Sequence, residues 1–103
     1  MAVENVAQAQ EIGRHLAGLL REQAAVRRLW YTMPHGDDVA FWLLTEPIDF
    51  DGERALYALS LTVFDRFPDA RLRVHVLNPS NYADGDAASS VPTDAVEIPR
   101  RKA

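Results

Sequence analysis

Between Val39 and Thr45 the chain reads Val-Ala-Phe-Trp-Leu-Leu-Thr, an apolar run with no alternating polar residue. Successive side chains of a strand point to opposite faces, so this run presents apolar surface on both sides. A strand of that kind is stable inside a sheet, covered above and below. The requirement for cover on two faces governs how the flanking segments are read.

Upstream, Val26 to Met33 is rich in β-branched and aromatic residues and reads as a strand. Leu29, Tyr31 and Met33 share one face, and Arg28, Trp30 and Thr32 share the other. Pro34 cannot donate to a sheet ladder and ends the strand, and His35-Gly36-Asp37 supplies turn chemistry. The two strands are therefore expected to pair as an antiparallel hairpin. Downstream, residues 51–67 predict a helix, because Leu56, Leu59, Ser60, Val63, Phe64 and Phe67 recur at helical spacing. Asp49 or Asp51 caps its start, and Pro68 pushes Phe67 out of helical geometry. Residues 71–77 alternate strictly, with Leu72, Val74 and Val76 against Arg71, Arg73 and His75. A strand, a helix and a strand in succession predict a right-handed parallel unit.

Residues 3–23 predict a further helix, with Ile12, Leu16, Leu19 and Leu20 in one stripe that Val6 and Ala9 extend. Residues 78–93 are small and polar with no apolar period and read as a mobile loop. Residues 94–98 form a possible edge strand with Val96 and Ile98 inward, and Pro99 closes it ahead of a fraying Arg100-Arg101-Lys102 tail. The expected fold is a single small α/β (α+β) domain in the order α-β-β-α-β, with a possible final strand. Its mixed sheet packs against two helices.

Several function classes are disfavoured by the totals. The 103 residues suffice for one domain, which at this size buries about 65% of its unfolded surface. The absence of cysteine removes disulfides, a thiolate nucleophile and thiolate zinc sites. A formal net charge of −4 argues against nucleic acid as a partner, since phosphate contacts need a positive surface. No apolar run approaches the ~20 residues of a membrane span, and the first residues lack a secretion signal. A cytoplasmic, bacterial protein without membrane attachment is the expectation.

Four groups of residues are candidates for chemistry. His35, Asp37 and Asp38 could hold a divalent metal, although turn residues explain every one of these positions. Arg71, Arg73 and His75 form a basic stripe that could bind an anion or an acidic partner, with Arg27 or Arg28 nearby, or that simply faces solvent. Glu11 and His15 stand at i and i+4, a spacing used by metal pairs and more often by surface hydrogen bonds. Trp30 points away from the helix layer, where an exposed indole beside Arg28 would anchor an interface. No Gly-x-Ser-x-Gly elbow and no glycine-rich phosphate loop is present.

The order over residues 5–78, a helix, a strand ending near Met33, a turn, the strand in "DDVAFWLL", a helix and a third strand, resembles minimal bacterial nucleotidyltransferase domains. In that family a Gly-Ser pair follows the first strand, an Asp-x-Asp on the next holds magnesium and nucleotide, and a later strand often adds an acid. Here Pro34-His35-Gly36 replaces Gly-Ser, and Asp38 matches the first acid while Ala40 stands at the second. Arg73 and His75 lie on the strand of the third. The resemblance therefore implies a degenerate, inactive member. The function expected from the residues is a non-catalytic interaction or regulatory module with no cofactor, which associates with itself as a homo-oligomer or with another protein. The alternatives are a metal-dependent nucleotide binder and a phosphate or nucleic-acid binding module.

Overall fold

The computed structural model describes residues 2–34 and 38–99, with side chains in the first helix described from Ala7 onward. His35, Asp37 and the Arg100-Arg101-Lys102 tail lie outside the described residues. The elements run α1 (Ala2–Leu19), β1 (Val26–Thr32), β2 (Val39–Thr45), α2 (Phe50–Arg66), β3 (Leu72–Leu77) and β4 (Val96–Glu97). Two short 3-10 turns, Pro79–Asn81 and Ala87–Ser90, interrupt the connection between β3 and β4.

The four strands form one sheet in the order β3-β2-β1-β4. The apolar run is β2, and it lies inside the sheet as its two-sided pattern requires. It pairs antiparallel with β1 in a hairpin and parallel with β3 across α2. β4 adds antiparallel to the free edge of β1 through Trp30↔Glu97 and Tyr31↔Val96. This is the mixed α+β architecture that the pattern predicts.

One face of the sheet carries both helices. Leu29, Tyr31, Val39, Phe41, Leu43, Leu72 and Val76 project from it and are buried against Ile12 and Leu16 of α1, Leu20 just after it, and Leu56 and Val63 of α2. Phe41 is 1% exposed; burying a side chain of that size is worth about 1.5–3 kcal/mol. Asp49 caps α2, its Oδ1 accepting the Gly52 N–H at 2.7 Å. At the last strand Ile98, not Val96, makes the apolar contact. Ile98 is buried in the core cluster and lies over Gly13, where an added Cβ would come within 2.6 Å of its Cδ1. Val96 is 49% exposed, because β4 is only two residues long and lies at the margin of the sheet.

β3 and β4 occupy opposite edges, so the chain between them must cross the whole sheet. The helices hold one face, and residues 78–95 cross the other. Ala87 is buried on that side, and Pro92 and Asp94 stand over the strands. The second face of β2 is thus covered by a strap of the chain itself.

Candidate functional site

The strapped face is ordered in rows set by strand register. One row runs Glu97, Trp30, Trp42, His75 across the four strands, and the next runs Thr32, Ala40, Arg73. In the first row Trp42 and His75 are cross-strand partners whose rings stack, with centroids 4.1 Å apart and planes 17° from parallel. The Trp42 indole Nε1–H donates to Thr32 Oγ1 at 3.2 Å. In the second row Ala40 offers only a methyl group, and a hollow opens above it.

That hollow is a cleft of about 360 Å³. Its floor is Thr32, Ala40 and Trp42, Arg73 and His75 line it from β3, and Pro34 and Asp38, which flank the β1–β2 connection, line it at one end. The strap closes over it with Pro92 and Asp94. The volume falls within the range of small-molecule sites, about 300–1,000 Å³.

The charges around the cleft differ in how they are matched. Asp38 faces Arg71, Oδ1 to Nη1 at 3.6 Å, and its side chain is 22% exposed. Arg73 and Asp94 make no ion pair and no hydrogen bond among the described residues, although both line the cleft. His75 is half-buried, and its pKa is held below the usual 6.5, first by burial and then by the neighbouring Arg73 cation. Its imidazole is neutral near pH 7 and offers one donor and one acceptor nitrogen.

Comparison of the chain with family models, with curated proteins and with solved structures finds no match.

Of the residues singled out by sequence, Asp38, Arg73 and His75 come together at the cleft. Arg71 stands at its edge through Asp38. Arg27 and Arg28 do not join the stripe, because β2 separates β1 from β3. Arg27 faces Glu46 at 3.8 Å, and Arg28 grips Glu97 with two bonds of 3.0 and 2.7 Å. Among the described residues no group of three metal-binding side chains exists.

Trp30 corrects an expectation. It lies on the face away from the helices, yet it is only 8% exposed and cannot present an indole to a partner. The Arg28 guanidinium lies 4.6 Å from its ring centroid, Glu97 holds Arg28 there, and Trp42 stands beside it. Glu11 is exposed, and the His15 and Phe67 rings meet nearly perpendicular with centroids 5.8 Å apart. Thr32, Ala40, Pro92 and Asp94 were not signalled as site residues by sequence. Only a pairing of the last strand with β1 would have revealed that the preceding loop crosses this face.

Proposed function

We propose that this chain is a small binding domain that acts by contact rather than by catalysis, with the strapped sheet face as its contact surface. The observation that carries the reading is the cleft between strap and sheet, where Arg73, His75 and Asp94 converge around the apolar floor of Ala40 and Trp42. Polar groups converging on an apolar hollow are the usual form of a ligand site. The two tryptophans give two indole N–H signals in a proton–nitrogen NMR spectrum, and that of Trp42 reports on the cleft. In a titration with small fragments, some fragments are expected to shift the Trp42 signal saturably, and Ala40→Leu, which fills the hollow, is expected to abolish the response. A spectrum in which no fragment moves Trp42, or in which Ala40→Leu changes nothing, would reject the reading.

The nucleotide and nucleic-acid alternatives gain less support. Around the cleft Arg71 and Arg73 are balanced by Asp38 and Asp94, which leaves no net positive field for a polyanion. A metal-dependent rise in melting temperature with ATP, GTP or CTP, lost in Asp38→Asn, would restore the nucleotide reading.

Self-association is a separate reading with its own observation. Phe50 and Leu61 are 71% and 50% exposed and lie on the outer side of α2. The sheet face is taken by the strap, so that helix is the surface on which a second copy would meet the first. Light scattering is expected to give a mass above 11.5 kDa for the native chain and a lower one for Phe50→Ser/Leu61→Ser. A monomer at millimolar concentration would dismiss this reading.

A further inference from the structure

The cleft has one cation on the sheet and one anion on the strap. Arg73 projects from β3 and Asp94 from the strap, both line the cleft, and neither has an ion-pair partner among the described residues. The other carboxylate, Asp38, is already engaged by Arg71. The cleft that the two unmatched charges line also presents the Ala40 methyl, the Trp42 ring and Pro92. A ligand complementary to this arrangement carries a negative group, a positive group and a short apolar portion, with no net charge.

We propose that the cleft takes a small zwitterion of the amino-acid type. The Arg73 guanidinium receives the carboxylate, Asp94 receives the ammonium group, and the apolar portion lies on Trp42 and Pro92. The proposal rests on the strapped face being a binding surface. A guanidinium suits a carboxylate because its N–H groups match both oxygens. His75, neutral beside Arg73, adds a hydrogen-bonding nitrogen without adding a second cation. Bound in this way the ligand ties strap to sheet, so occupancy would also hold the strap in place.

The test is a titration of the full chain, read at the Trp42 indole signal, with leucine, phenylalanine and glycine. N-acetyl-leucine keeps only the negative charge, leucine amide keeps only the positive one, and inorganic phosphate controls for anion binding in general. Leucine is expected to bind about tenfold or more tightly than either singly charged analogue, the scale of one lost charge-assisted hydrogen bond. Arg73→Gln is expected to weaken leucine and N-acetyl-leucine but not leucine amide, and Asp94→Asn to weaken leucine and leucine amide but not N-acetyl-leucine. Both residues are exposed, so neither substitution threatens the fold. Equal affinity for leucine and N-acetyl-leucine, tighter binding of phosphate, or no response to any amino acid would overturn the proposal. If fragments move Trp42 while amino acids do not, the zwitterion fails and the binding surface stands; if neither does, both fail.

Discussion

Ser60 shows how a single buried atom can cost stability. Its side chain is fully buried in α2 and its hydroxyl finds no hydrogen-bond partner among the described residues. The spacing of Leu56, Ser60 and Val63 marks this position as inward-facing, and a small residue fits where α2 packs on the core. A desolvated, unmatched hydroxyl costs about 1–3 kcal/mol, and replacing it by a methyl hydrogen removes that cost at little loss of packing. Ser60→Ala is expected to raise the unfolding free energy by about 1 kcal/mol in urea titration. A fall of similar size would mean that the hydroxyl has a partner in solution.

Among the elements, the corner that joins β2, α2 and the end of β3 depends on Asn78. This side chain is 2% exposed and fully engaged. Its Nδ2 donates to Ile48 O at 2.9 Å and to Glu53 Oε1 at 3.0 Å, and its Oδ1 accepts from the N–H groups of Ile48 and Ser80. Asn78→Ala leaves the Ile48 peptide groups without these partners and is expected to cost about 2–6 kcal/mol, summed over four bonds worth about 0.5–1.5 kcal/mol each. Asn78→Asp is expected to be no better, because its second oxygen faces Glu53 and the Ile48 carbonyl where a donor is needed. A cost under 1 kcal/mol in chemical denaturation would show the corner to be held by packing. The elements themselves were legible: strict alternation over residues 71–77 and helical spacing over residues 51–67 each produced the expected structure. Asn78 was not, because the sequence shows only an Asn-Pro turn start and its partners lie 25 and 30 residues away. The neighbouring edge strand is also protected in a way that no local pattern reveals. The outward Val76 N–H of β3 donates to the Tyr57 hydroxyl at 3.2 Å, which occupies a group that could otherwise pair with another chain.

For the whole molecule, stability is coupled to pH through His75, which is buried in part and stands beside Arg73. Its folded pKa lies below 6.5, so as pH falls through that value the unfolded chain takes up the proton first. The stability conferred by a neutral His75 is complete above about pH 7, and it declines as pH drops below 6.5 toward the folded pKa. The melting temperature is expected to fall between pH 8 and pH 5.5. His75→Phe, which keeps a ring against Trp42, is expected to flatten that fall, and an unchanged slope would assign it to other groups. Local periodicity correctly implied that β2 needs cover on both faces, but it could not say that the second cover is the chain's own loop. That depends on where a two-residue strand pairs, a non-local choice.

The length of that loop has a consequence of its own. Crossing from one edge of a four-stranded sheet to the other spans three inter-strand gaps, about 14 Å at ~4.8 Å each. Residues 78–95 would reach about 60 Å if fully extended, at ~3.3 Å per residue. The crossing therefore has ample slack, taken up in its two 3-10 turns. Doubling a loop's length adds only about 0.6 kcal/mol of closure entropy. Insertions and deletions between Tyr82 and Ala87 would thus leave strand order and core intact while altering the path of the strap. The scaffold separates the part of the chain that must be conserved to fold from the part that is free to diversify.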